Sequence, residues 1–139
     1  MKNNNLGAVI ISFLLAAACI VAGVFLSSKN LDDPSKVAYS YMKAVMKGKY
    51  KKAVELTYED SYEIRGLDAD DMEDEIEEHL GEAAEDYDKI LVSPAIFTKN
   101  EYGDDIAYVD VTGIEDDNTD TRQITLLKVH GSWLVVESF

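Results

Sequence analysis

Residues Leu6 to Leu26 run for 21 positions without a charged side chain. As a helix such a run is roughly 31 Å long, close to the ~30 Å hydrocarbon core of a bilayer. A helix apolar on every face has no side to offer to water. The run therefore reads as a transmembrane or signal segment at residues 6–26. A short head, residues 1–5, precedes it, and residues 27–33 form a linker. The working part is residues 34–139, about the right length for one domain with one core.

Three readings compete for this N-terminus. An uncleaved helix would span the bilayer once. A cleaved secretory signal would start with Met1-Lys2 and end at Ala16-Ala17-Ala18, although its apolar stretch is long for a signal core. The third uses Cys19, the one cysteine of the chain. Leu15-Ala16-Ala17-Ala18-Cys19 resembles a bacterial lipobox, which makes Cys19 a candidate for lipid attachment. The greasy residues after it favour a plain place within a spanning helix. Lys29, Lys36 and Lys43 follow the run and pull the positive-inside count toward a cytoplasmic domain. The five-residue head with a single lysine has the form of an export signal. The expectation is a single-pass protein of the cell membrane with its domain outside the cytoplasm.

Charge excludes some partners. The chain after residue 30 carries all 27 acids and 11 of the 13 basic residues, a net charge of −16. Such a body repels nucleic acid and anionic lipid head groups. Its lysines are also segregated. Lys36, Lys43, Lys47, Lys49, Lys51 and Lys52 come early, and Arg65 alone opposes the sixteen acids between Glu55 and Asp88. Solvated helical faces account for both clusters. A dipolar surface would also place the basic part nearest the membrane.

Apolar periodicity changes along the chain. Asp33-Pro34 opens a helix, and Val37, Tyr41, Ala44 and Val45 recur at helical spacing up to the stop at Gly48. A second helix passes through Ala53, Val54 and Leu56, and Tyr58 to Gly66 reads as irregular. A third helix from Asp68 has Met72, Ile76, His79, Leu80 and Ala83 along its stripe. Strands follow at Lys89 to Thr98, interrupted by Pro94, at Ile106 to Ile114, at Thr121 to Val129 and at Ser132 to Phe139. Glu115 to Asp120 reads as a polar turn and His130-Gly131 as a tight one. The class is α+β, an N-terminal membrane helix followed by three helices packed on a curved four-stranded antiparallel sheet.

Three passages carry a resemblance. Lys47-Gly48-Lys49-Tyr50-Lys51-Lys52-Ala53-Val54-Glu55-Leu56 is similar to a link between two helices in the nuclear-transport-factor-2-like superfamily. The alternating Ile106 to Val111 resembles one of its strands, and Leu127 to Val135, with Gly131 before Trp133, resembles its closing hairpin. The chain resembles small bacterial membrane-anchored or lipoprotein members of that superfamily. The likeness implies a cone of helices on a bent sheet. It also implies either a binding module or a small isomerase- or dehydratase-type enzyme with an acid or base inside the cone.

Tyr41, His79, Tyr108, Asp110 and Trp133 are the candidates to line such a pocket. Asp110 sits among apolar neighbours, where a buried carboxylate would be a base of raised pKa, but an outward position in water is the expectation. His79 lies beside an apolar stripe and His130 in a turn. Asp68 to Glu73 begins like a calcium loop and then lacks the ligand at its fifth position and the glycine at its sixth. No phosphate loop, nucleophile elbow or zinc spacing is present. No metal, cofactor or catalytic residue is expected. The leading expectation is a membrane-tethered module without catalytic activity that binds an unknown protein or small ligand. A homodimer through the outer sheet face is a further possibility.

Overall fold

The computed structural model describes residues 31–136; residues 6–26, and Cys19 with them, lie outside the described residues. Among the described residues no helix is long and apolar enough to cross a membrane.

Helix α1, Pro34–Met46, starts where Asp33-Pro34 predicts. The Asp33 carboxylate accepts from the Ser35 N–H at 2.9 Å, a cap worth about 1 kcal/mol. Val37, Ala38, Tyr41, Met42 and Val45 are almost fully buried. Helix α2 spans Tyr50–Glu55. The stretch read as irregular holds a short helix, α3, Glu59–Glu63. The acids Glu59 and Asp60 occupy its first turn, where the helix dipole favours them.

Helix α4, Ala69–Ile76, passes into a π-helical turn, Glu77–Gly81, and a last turn α5, Glu82–Ala84. The expected single helix is thus wider in its middle. Its buried apolar side chains are Met72, Ile76, Leu80 and Ala84, a strict four-residue step, with Gly81 buried beside Leu80. That step drifts around a regular helix of 3.6 residues per turn, and a π turn absorbs the drift. Ala84 replaces Ala83 on the stripe for this reason, and Ala83 is exposed. At the start of α4, Asp68 and Asp71 bond each other's backbone N–H groups at 2.9 and 3.0 Å. Their carboxylates form a capping box.

The sheet is antiparallel and curved. Its strands are β1 Lys89–Val92, β2 Ile96–Lys99, β3 Asp105–Glu115, β4 Asn118–Val129 and β5 Ser132–Val135. Both β1 and β2 pair with β3, so five strands make a sheet four strands wide. They are the two halves of the single edge strand expected over Lys89 to Thr98. Ser93, Pro94 and Ala95 part them, because proline cannot donate to the ladder. The turn expected over Glu115 to Asp120 is shorter than read. Strands β3 and β4 pair as far as Glu115 and Asn118, and Asp116, at φ +51°, helps turn the chain. His130 and Gly131, at φ +51° and +85°, close the β4–β5 hairpin as expected.

Alternation gives the sheet two faces. Ala107, Val109, Val111 and Gly113 of β3 share the inner face with Ile124 and Leu126 of β4, and α1 packs across it. At Gly113 the Tyr87 ring lies directly on the backbone, and an added Cβ would collide with it. The Tyr87 hydroxyl reaches the Asp120 carboxylate at 2.5 Å, and Arg122 lies 3.5 Å from the same carboxylate.

Gly113→Ala forces this ring away and should destabilise the fold by about 2 kcal/mol in urea unfolding. Burial first, and the Asp120 carboxylate second, push the Tyr87 phenol up to about 12. A raised pKa stabilises the fold fully below the ordinary value of about 10 and is lost as pH climbs through the folded value. The stability gap between the wild-type chain and Tyr87→Phe should therefore narrow from about pH 10 upward. A gap that stays constant there would refute this account.

Candidate functional site

Tyr41, Met42, Met72, Ile76 and Leu126 are at most 2% exposed and occupy the space between α1, α4 and the sheet. Of the predicted site residues, Tyr41 alone lies in this centre. Trp133 is buried at one end, its ring 5.7 Å from that of Phe97 and under the Lys128 ammonium. His79 is exposed on the π turn, 3.7 Å from the Glu75 carboxylate. Tyr108 and Asp110 lie on the outer face of β3. The five candidates do not converge on one cavity.

Asp110 corrects the sequence reading. It is on the outer face, as the alternation predicts, but only 7% exposed. The Ser93 interruption accounts for part of this cover. The Ser93 N–H donates to the Asp110 carbonyl, and the Ser93 hydroxyl accepts from the Asp110 N–H, both at 2.9 Å. The Ser35 hydroxyl in turn donates to the Ser93 carbonyl at 2.8 Å, which ties this edge to the start of α1. Burial raises the Asp110 carboxyl pKa. Among the described residues no donor is bonded to its carboxylate.

The outer face around Asp110 has an unusual composition for this chain. Its rows run from Leu91, Thr112 and Thr121 to Thr98, Ile106, Leu127 and Leu134, with Ile96, Tyr108 and Thr125 between them. Asp110 is the one charged residue in those rows. Ile96 is 36% exposed, and Tyr108, Leu127 and Leu134 are half-buried. A nearly uncharged face on a body of net charge −16 is a place where another surface can approach without repulsion.

Two other features are separate from it. An open groove of about 310 Å³ runs between α1 and β1, lined by Tyr39, Lys43, Met46, Asp88, Lys89, Ile90 and Leu91. Periodicity alone could place Tyr39, Lys43 and Met46 on one helix stripe, but it could not bring β1 beside them. Where α4 meets the π turn, ligand atoms of Glu75, Glu78 and His79 lie within 4.8 Å of one another. Arg65, 3.7 Å from Glu75, already offsets part of that charge.

The raised carboxyl of Asp110 makes a signed prediction. A carboxylate whose folded pKa is raised supports the fold below its ordinary value of about 3.9 and opposes it as pH rises through the folded value. Asp110→Asn should therefore be more stable than the wild-type chain at neutral pH. That advantage should disappear below about pH 4 in parallel unfolding curves. A variant less stable at neutral pH would show that the carboxylate holds the face together.

No family model matches the chain, and no curated protein matches it. Among solved structures the fold is similar to a protein of Campylobacter jejuni provisionally named an NTF2-like transpeptidase. That match has 18% identity and a TM-score of 0.59, and covers 76% of this chain and 98% of the other. A Xanthomonas campestris protein provisionally named a calcium/calmodulin dependent protein kinase II association domain has 11% identity and a TM-score of 0.39. It covers 70% of this chain and 76% of that one, and carries no argument at that score. The first likeness, with the curled sheet, gives this chain the nuclear-transport-factor-2-like fold.

Proposed function

From a nuclear-transport-factor-2-like fold as the premise, we propose that this chain is a membrane-tethered, extracytoplasmic interaction module without catalytic activity. It works through the outer face of its sheet. The observation that carries the reading is that face: mostly apolar and hydroxyl side chains on a body of net charge −16, with Asp110, the one charged residue of its four central rows, withdrawn from water and Lys89 at its rim. The apolar Met42, Met72, Ile76 and Leu126 at the centre of the cone support binding over the isomerase or dehydratase alternative, which needs an acid or base facing an internal cavity. The 21-residue apolar run supports the tether, and a head with one lysine supports export.

A second copy of this chain is the first occupant to test. Two bodies of this charge repel wherever their acids meet, and the outer face lets them touch with little charge between them. Four rows on a sheet four strands wide offer roughly 400 Å² per copy at ordinary strand spacings. That total lies below the range of stable interfaces, so the contact is transient in dilute solution. Tethering in one membrane raises the effective concentration and favours it.

Sedimentation of the full chain in neutral detergent should show a concentration-dependent monomer–dimer equilibrium. Ile96→Lys and Leu127→Lys should each weaken it about tenfold, since each places a charge in an apolar contact, while leaving the circular dichroism spectrum unchanged. A dimer fraction indifferent to both substitutions would exclude the outer face. A monomer at every concentration would move the search to a foreign protein partner.

A further inference from the structure

The groove between α1 and β1 reverses the sign of the molecule. Lys36 and Lys43, seven apart, share one side of α1, and Lys47 follows its last residue. Lys43 stands at the groove, its ammonium 3.3 Å from the Tyr39 hydroxyl and 5.5 Å from the centre of the Tyr39 ring. Lys89 stands across from it on β1. The one acid that lines the groove, Asp88, accepts from the Asp116 N–H at 2.9 Å, so its charge is partly engaged elsewhere. Met46, Ile90 and Leu91 line the same groove, with Met46 and Leu91 half-buried.

The chemistry this arrangement recognises has two parts. Two lysines on facing walls of one opening suit a phosphate monoanion, and the charge contrast with the remaining surface directs an anion there. The apolar floor suits a few methylene groups, and methionine adapts its shape to them. A free phosphate would leave that floor wet. The groove's volume of about 310 Å³ lies at the lower end of small-molecule sites. It is large enough for a head group and the first carbons of a chain, and too small for a whole lipid. A ligand whose remaining length stays in a bilayer meets that limit.

We propose that the α1–β1 groove seats the phosphate head group of an anionic phospholipid between Lys43 and Lys89, with the adjoining acyl carbons on Met46 and Leu91. The choice of a bilayer lipid rests on the tethered reading above. Residues 27–33 extend to at most about 25 Å, which keeps α1 within reach of the lipid surface. The lysines thus hold the domain against anionic lipid.

The test uses the full chain, labelled with ¹³C-methyl methionine, in nanodiscs of phosphatidylcholine alone or mixed with phosphatidylglycerol. The Met46 methyl signal should move in the anionic discs and return as salt is added. The buried Met42 and Met72 signals should stay, reporting an intact fold. The doubly substituted chain Lys43→Glu, Lys89→Glu should respond at least about tenfold more weakly, since each basic residue near an anionic surface contributes about 1 kcal/mol. Identical Met46 signals in both discs would overturn the proposal, as would an undiminished response in the double variant. Inorganic phosphate moving Met46 equally in neutral discs would assign the groove to free anions and overturn the lipid source. Entry of the chain into neutral discs is read separately. A chain that enters neither disc sinks the tether, and short-chain phosphatidylglycerol in water then tests the groove alone.

Discussion

Strand β3 sets the register of the whole sheet. It pairs with β1 and β2 on one side and over ten positions with β4 on the other. A slip of one residue would send Val109 and Val111 to the outer face and Asp110 into the core. The cost of burying that unpaired carboxylate among methionines and valines defends the register as firmly as the apolar contacts do. The same alternation that fills the cone thereby produces the quiet outer face. One pattern creates the core and the interaction surface together.

Periodicity exposed the parts governed by local rules. Asp33-Pro34 marked the start of α1 and His130-Gly131 marked a hairpin, because capping and left-handed turns depend on neighbours in sequence. The two faces of β3 were readable for the same reason. The break in the edge strand was signalled by Pro94, whose missing donor acts wherever it stands. The resemblance carried by the Lys47 to Leu56, Ile106 to Val111 and Leu127 to Val135 passages anticipated the fold, as their order predicted.

What stayed hidden depends on contacts between distant residues. The burial of Asp110 follows from Ser93, seventeen residues away, closing over the neighbouring edge. The π turn follows from the step that packing imposes on Met72, Ile76, Leu80 and Ala84, and no residue of Glu77 to Gly81 announces it. The groove joins α1 to a strand more than forty residues later. Tyr41, Tyr108 and Trp133 were grouped as aromatic pocket residues. The fold distributes them among the core, the outer face and one end, where each covers apolar area.

The far edge of the sheet has a different kind of closure. The Trp133 N–H of β5 donates to the Leu31 carbonyl at 2.8 Å, and Val135 exchanges bonds with Leu56 and Tyr58 at the same distance. The chain ahead of α1 is therefore stitched to the last strand before α1 begins. A pull applied from the N-terminal side meets this seam first, and tension is shared between the opening and closing segments of the domain. The fold can then bear load as a closed loop, with its first and last described segments holding each other while the sheet between them stays slack.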